Sequence, residues 1–371
     1  MCDYFKKQLC SSCNFNEREN SLEYKASLIR ESFSSIQIEY RGTDSKCFGF
    51  RNKAKLAVFA QKDKSIGLGI TRRDLSQVDI SSCPLYTDGI QQLVLSVKDF
   101  IVRSSLPIYD IKKRNGELKY IIIMGTADSS EHILRFVVKS KKNLPEIQNM
   151  VPALLKKNPT LKVVSVNIQP IPHAIVEGRE EIILTQDRFI KEQMCEYRLN
   201  IGPSCFFQTN PGVAGELYQT LQKWIKEQYI SSALDMYCGV GCFSFFASKY
   251  LGNVTGVEIS KESIECATLS AKENNVERVV FISEDALTFF KRMKKEFDAI
   301  IVNPPRKGLG KDFCQTLVER KTIKKLYYSS CNAKTLIEDY EILKERFTPS
   351  RIAVFDMFPF TSHYETLIEF L

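Results

Sequence analysis

Two short motifs near the C-terminus carry side chains able to act on a carbon that is not itself reactive. Ser329-Ser-Cys-Asn332 follows the β-like run Lys325-Leu-Tyr-Tyr-Ser. A cysteine at the carboxyl end of a parallel strand is aimed into the crevice where such sheets bind ligands. Downstream, Phe358-Pro-Phe-Thr-Ser-His-Tyr-Glu365 ends in a carboxylate. A thiolate beside a carboxylate suits methylation of uracil at its 5-carbon, a poor nucleophile. Thiolate addition to the 6-carbon makes an enolate whose 5-carbon can attack a sulfonium methyl. A base must then remove the 5-proton so that the cysteine can leave. Cys331 is the candidate nucleophile and Glu365 the candidate base. Taken singly, a lone cysteine is more often an inert packing residue, and a strand glutamate is as often solvated as functional. His363 could polarise the base or only cap the turn.

The methyl donor needs a site on the same sheet. Asp235-Met-Tyr-Cys-Gly-Val-Gly241 follows a predicted strand and opens a helix. Its glycines let the backbone turn sharply and approach a ligand, yet Ser244 stands where a dinucleotide fingerprint has its third glycine. Asp235 and Glu258 end the first two strands of this region and Asp285 follows the third. Carboxylates there can accept hydrogen bonds from ribose hydroxyls and would repel a pyrophosphate, which favours S-adenosylmethionine over a dinucleotide. Gly239 and Gly241 alone would be an ordinary tight turn, and packing suffices for Cys238 and Cys242 beside them. After the fourth strand comes Asn303-Pro-Pro-Arg306. Enzymes that methylate exocyclic amines carry an aromatic at the fourth position, and cytosine 5-methyltransferases a Pro-Cys pair after this strand. Neither is present.

A third group stands at the other end. Cys2, Cys10 and Cys13 fall within a dozen residues, and Cys83 precedes Pro84 far downstream. Thiols of a cytoplasmic chain stay reduced, so clustered cysteines point to metal or catalysis rather than disulfides. Four thiolates suit a structural zinc or an iron–sulfur cluster, and the spacing does not choose between them. Cys47, Cys195, Cys205, Cys266 and Cys314 read as packing residues.

The elements that position these groups fall into two regimes. From about residue 213 strands and helices alternate: a helix over 213–229, then strands at 233–237, 254–258, 279–282, 297–302 and 325–329 separated by helices. Residues 351–355 and 364–370 suggest a closing antiparallel pair. This rhythm predicts an α/β doubly wound sheet. Residues 48–185 mix β-like runs at 55–59, 120–124, 133–138 and 163–168 with polar or helical segments, an α+β pattern. A helix is expected over 22–34 from Leu22, Ala26, Ile29 and Phe33. Residues 1–200 hold 31 Lys and Arg against 23 Asp and Glu, and residues 201–371 hold 21 of each. The basic half suits a polyanion and the neutral half chemistry. Lys53, Lys55, Arg72, Arg73, Lys112-Lys-Arg114 and Lys119 are candidate phosphate contacts. No stretch approaches the roughly 20 apolar residues of a membrane helix, and the start has no signal-peptide core, so a cytoplasmic protein is expected.

These residues together resemble one family. Cys2, Cys10, Cys13, Phe50-Arg-Asn-Lys53, Cys83-Pro-Leu, Phe206-Phe-Gln-Thr-Asn210, the glycine turn, Asn303-Pro-Pro-Arg306, Ser329-Ser-Cys-Asn332 and Asp356-Met-Phe-Pro359 are similar to the motifs of bacterial RNA 5-methyluridine methyltransferases. The likeness runs from residue 2 to the C-terminus. It is closest to the short class, which methylates a hairpin-loop uridine of 23S ribosomal RNA and lacks the N-terminal oligonucleotide-binding barrel of longer relatives.

The resemblance implies a cysteine-rich head at 1–20, a central RNA-docking α+β domain at 21–200 and a Rossmann-like S-adenosylmethionine-dependent catalytic domain at 201–371. It implies cofactor contacts from Gln208, Tyr237, Glu258 and Asn303, with Cys331 as nucleophile and Glu365 as base. It also implies a 4Fe–4S cluster on Cys2, Cys10, Cys13 and Cys83. The expected partner is 23S rRNA, with no membrane and no obligate protein partner evident. The alternatives are the same chemistry on a transfer RNA or another ribosomal uridine, and a catalytically dead iron–sulfur protein that only binds RNA.

Overall fold

The alternating strands read between residues 232 and 330 form the centre of one eight-stranded sheet in a computed structural model, which describes residues 2–10, 12–14, 21–43, 47–171 and 176–371. The chain divides into two units. One comprises Asn14–Ser45, Met194–Asn200 and Cys205–Leu371, and the other Met1–Cys13, Lys46–Gln193 and Ile201–Ser204.

In the first unit Lys325–Ser330, Ala299–Val302, Ser232–Met236, Asn253–Glu258 and Val279–Ser283 run parallel in that order across the sheet. The Ala299–Val302 strand is buried along its whole length, as expected of a parallel strand covered on both faces. Glu365–Phe370 runs antiparallel between Lys325–Ser330 and Pro349–Phe355. A short loop can join antiparallel strands, whereas parallel ones need a crossover. The predicted closing pair therefore forms, and its second strand inserts in the middle of the sheet.

Residues 21–43 were expected in the central domain, and contacts place them in this unit instead. The reason is packing: Leu22, Ala26, Ile29 and Phe33 are buried among Leu234, Ile300, Leu326 and Phe370. The predicted helix is two, Leu22–Lys25 and Ser27–Ser32. Lys25 turns inward to pair with buried Asp356 at 2.8 Å. Ile38–Arg41 adds an edge strand parallel to Pro349–Phe355. The boundary expected at residue 20 lies outside the described residues.

The second unit holds a seven-stranded sheet in the order Gln77–Asp79, Ile66–Thr71, Lys53–Ala60, Leu118–Gly125, His132–Val138, Leu161–Ile168 and Glu180–Ile183. All its pairs are antiparallel except His132–Val138 with Leu161–Ile168. Two helices, Asp88–Arg103 and Leu144–Lys157, share its core. Ile90, Leu93, Val94, Val97 and Ile101 recur at helical spacing and bury against Leu56, Val58, Ile121 and Phe136.

Candidate functional site

The position of the C-terminal strand decides what Cys331 meets. Ser329 lies opposite Leu367 and Ser330 opposite Thr366 in the antiparallel register. Cys331 directly follows the end of that ladder and Glu365 directly precedes Thr366, close enough for the Glu365 charge to act on the thiol. Glu365 is 1% exposed, and its Oε1 accepts a 2.7 Å hydrogen bond from Ser329 Oγ. Burial pushes the carboxyl up to about 7, against the pull of that hydrogen bond. Cys331 is half-buried. Burial and then the Glu365 charge push its thiol up, while the Arg306 guanidinium draws it down.

Arg306 entered the sequence reading only as a missing aromatic. Its backbone carbonyl accepts from Asn332 Nδ2 at 2.8 Å and from Thr335 Oγ1 at 3.2 Å. These bonds tie the Asn303-Pro-Pro-Arg306 loop to the turn that carries Cys331. Asp339 holds the continuation of that loop by accepting from the Leu309 and Gly310 amides and from Tyr328 Oη. His363 donates its backbone N–H to Thr361 Oγ1 and sets its ring edge-on to Phe358 at 6.4 Å. Burial and the Arg306 charge lower its pKa, favouring the neutral ring.

The glycine turn opens the helix Cys242–Ser248. Tyr237, Gly239 and Gly241 all have left-handed φ, of 64°, 55° and 87°. A Cβ at Gly241 would stand 2.6 Å from the Phe281 ring, whereas one at Gly239 would meet nothing. Asp235 behaves differently from the sequence reading. It is fully buried and accepts from Ser244 Oγ at 2.6 Å, so it fastens the turn to its helix instead of facing a ribose. Burial pushes its carboxyl up to about 7.

Glu258 is half-buried at its strand end and accepts from the Ser260 amide at 2.9 Å. Asp285 caps the helix Ala286–Arg292 through Thr288, and those hydrogen bonds hold its carboxyl below the usual range. Tyr237 is half-buried. Burial raises its phenol to about 12, with the Asp285 and Glu258 charges adding to the rise. Asn303 donates its backbone N–H to Met236 O at 3.4 Å. Tyr237, Glu258, Asp285, Asn303 and the two glycines thus follow the carboxyl ends of adjoining strands. Gln208 is 4% exposed and lies just before the helix Pro211–Lys226.

In the other unit Cys2, Cys10, Cys13 and Cys83 line one cavity of about 100 Å³, together with Arg51. Gly49 and Arg51 donate to the Pro84 and Leu85 carbonyls, and Thr87 donates to Arg51 O. This zipper seats the Cys83 loop beside the Phe50–Lys53 segment. Among the described residues, no three His, Cys, Asp or Glu side chains form a ready ligand set for a metal ion. The four thiols surround the cavity without converging on one point. Burial and the neighbouring thiols push Cys13 up to about 12, and burial pushes Cys83 up to about 11. The Arg51 charge opposes both shifts.

Several expected phosphate contacts are otherwise engaged. Lys119 is buried and donates to the Gln169 and Ile171 carbonyls. Lys55 pairs with Glu177 at 2.5 Å. Arg72 donates to Gln8 O at 2.9 Å and to Leu9 O, which ties it to the cysteine head. Arg73, Lys112, Lys113 and Arg114 are exposed. Cys205, Cys266 and Cys314 pack as expected, but Cys47 and Cys195 are exposed. Among the described residues no helix is long and apolar enough to cross a membrane.

Comparison with known proteins identifies the family. Residues 17–370 match the family model described as tRNA (uracil-5-)-methyltransferase. The chain is 38% identical to a 23S rRNA (uracil(747)-C(5))-methyltransferase RlmC of Xenorhabdus nematophila, over 99% of this chain and 98% of that protein. It is 39% identical to the enzyme of that name from Actinobacillus pleuropneumoniae, over 99% and 97%. The crystal structure of Pyrococcus abyssi tRNA (uracil-54, C5)-methyltransferase, in complex with S-adenosyl-L-homocysteine, superposes with a TM-score of 0.79 at 27% identity, covering 96% of this chain and 84% of that one. The α/β sheet is thus that of the S-adenosylmethionine-dependent methyltransferases, and the chain is an enzyme of the tRNA (uracil-5-)-methyltransferase family.

Proposed function

We propose that this enzyme transfers a methyl group from S-adenosylmethionine to carbon 5 of a uridine in 23S ribosomal RNA, through a covalent adduct on Cys331. The observation that carries the reading is the buried Glu365 carboxyl, held by Ser329 beside the strand end that Cys331 follows, where its charge acts on the thiol. The bound S-adenosylmethionine supplies an electrophilic methyl. Tyr237, Glu258, Asp285, Asn303, Gln208 and the turn at Gly239 and Gly241 would hold it.

The Cys331 thiolate adds to carbon 6 of the uracil, and the electron pair displaced from the 5,6-double bond forms an enolate. Carbon 5 then takes the methyl as the sulfonium sulfur leaves with its bonding pair. Glu365 removes the carbon-5 proton, and the electrons of that C–H bond rebuild the double bond and expel the thiolate. A carboxyl raised by burial is a stronger base than an exposed one, which suits this last step. Arg306 favours the thiolate. A uracil in a duplex would have to leave its stack, so a hairpin loop is the natural target.

The four cysteines would hold a 4Fe–4S cluster. Their soft donor set and their placing around one cavity support it, and Arg51 beside them would offset the charge of four thiolates. The cluster is assigned a structural role. Asn14 directly follows Cys13 in the chain. Its backbone N–H donates to Phe360 O at 2.7 Å, and its Oδ1 accepts from the Ser362 amide, in the loop leading to Glu365.

The family name and the Pyrococcus abyssi structure favour transfer RNA as the second reading. Labelled S-adenosylmethionine with unmodified 23S RNA, and separately with unmodified transfer RNA, followed by nucleoside analysis, decides between them. Label in 5-methyluridine from the ribosomal RNA alone is expected. Label only in transfer RNA supports the second reading, and label in another nucleoside overturns the chemistry.

A further inference from the structure

We propose that the face of the seven-stranded sheet turned away from its two helices carries a groove for a single-stranded segment of the substrate RNA, with Arg73 and Arg114 on phosphates and the Tyr120 ring under a base. This rests on the reading that the substrate is RNA.

Side chains on a strand alternate between faces. Ala54, Leu56 and Val58 point into the core shared with the helices Asp88–Arg103 and Leu144–Lys157. Lys55 and Ala57 therefore point to the other face. The register places Gly69 opposite Ala57 and Ala57 opposite Tyr120. Ala57 offers only a methyl beside the half-buried Tyr120 on that side. The result is an open depression of about 550 Å³, in which Lys55, Arg72, Arg73, Arg114 and Tyr120 line the walls and no acidic side chain does.

The four cations are not equivalent. Lys55 is spent on Glu177 and Arg72 on the carbonyls of Gln8 and Leu9. Among the described residues Arg73 and Arg114 have no carboxylate at ion-pair distance, and both are exposed. Arg114 stands in a constructed turn. Asp110 accepts from the Lys112 and Lys113 amides at 2.9 Å and donates its own N–H to Asn115 O at 2.7 Å, and Arg114 itself has φ +54°. Arg73 stands in the turn closed by Arg72 N–H on Ser76 O, where the Asp74 carboxylate is occupied by Ser76. Two exposed guanidinium groups lining one depression with a half-buried tyrosine ring match the recognition of a single strand, whose phosphates need cations and whose bases need a flat surface. The side chains are long enough to adjust to any sequence, so the groove contributes affinity and not base choice.

The test uses the full-length protein and a labelled hairpin RNA carrying a single-stranded extension, with binding measured across a salt series. For Arg73→Ala/Arg114→Ala we expect affinity to fall about 10-fold or more at moderate salt. The slope of log K against log salt should flatten by about 1.4, since each single-strand phosphate contact contributes roughly 0.7. Arg73→Lys/Arg114→Lys should keep the slope. Tyr120→Ala should weaken binding about 5-fold and leave the slope unchanged, because stacking releases no counterions. Calorimetric binding of S-adenosylhomocysteine should be unchanged in every variant, which shows that the protein remains folded. Wild-type affinity and slope in the double alanine variant, with wild-type protein binding the hairpin, overturn the groove and leave the proposed reaction standing. Failure of the wild-type protein to bind any RNA overturns both.

Discussion

Glu365 accepts a 2.7 Å hydrogen bond from Ser329 Oγ, two residues before Cys331, because the last strand of the chain returns antiparallel beside Lys325–Ser330, whose end the cysteine follows. The sheet thereby brings the proposed nucleophile and the proposed base, 34 residues apart in sequence, to neighbouring strands. Removing the base while keeping its shape separates the two halves of the reaction. Glu365→Gln should still form the thiol adduct and accept the methyl, but it cannot take the carbon-5 proton. We expect turnover to fall by about 10²–10⁴-fold. A methylated protein–RNA complex should accumulate and persist through a denaturing gel with ordinary uridine RNA. Normal turnover in this variant would assign the base elsewhere.

The buried carboxyl has a signature in stability. Its folded pKa of about 7 lies above the ordinary 4.5. Between those values the folded state holds a proton that the unfolded state has lost, so Glu365 costs the fold stability as pH rises from about 4.5 through 7. Glu365→Gln removes that cost. The Tm of the variant relative to wild type should therefore climb between pH 5 and pH 8 and level off above it. Activity should move oppositely in wild type, falling below about pH 7 as the base becomes protonated.

Ser329 tunes that base. Its hydroxyl donates to Glu365 Oε1 and favours the ionised form. Ser329→Ala should move the acidic limb of the pH–rate profile to higher pH and cost about 1.5–3 kcal/mol of stability, typical of a hydrogen bond to a charged group. An unmoved limb would mean that the titration seen in the rate belongs to another group.

Much of this arrangement was legible in the sequence. Apolar strands followed by glycine, proline or cysteine punctuation mark the carboxyl ends of a parallel sheet, and those positions hold the candidate residues. Other parts were not legible, for physical reasons. Asp235 reads as a ribose ligand because its burial depends on Ser244, nine residues on, folding back over it. Leu22, Ala26, Ile29 and Phe33 precede the central strands in sequence yet pack in one core with Leu234 and Ile300, a long-range choice that local periodicity does not encode. Ile38–Arg41 alternates polar and apolar residues over only four positions at a sheet edge, too short a signal to register. The role of Arg306 depends on bonds from Asn332 and Thr335, which lie 26 and 29 residues further along the chain at the start of the helix Ala333–Leu343.

The two glycines of the cofactor turn should respond differently to the same substitution. Both require positive φ, so alanine costs each about 1–2 kcal/mol of backbone strain. At Gly241 the added Cβ also strikes the Phe281 ring at 2.6 Å, whereas at Gly239 it enters open space. Gly241→Ala should lower Tm more than Gly239→Ala. Gly239→Ala should show its larger effect in S-adenosylhomocysteine affinity, because its Cβ projects where a ligand would approach. Thermal melts and calorimetry on both variants check the contrast.

The central claim is that Cys331 bonds to carbon 6 of a uracil during turnover. A hairpin RNA carrying 5-fluorouridine at the target position, mixed with S-adenosylmethionine and protein prepared without oxygen, tests it directly, because fluorine cannot leave as a proton does and the adduct should be trapped. The account predicts a shifted band on a denaturing gel, a mass equal to protein plus methylated RNA, and loss of both in Cys331→Ala. RNA and cofactor binding with no trapped band, or a band that survives Cys331→Ala, would contradict it.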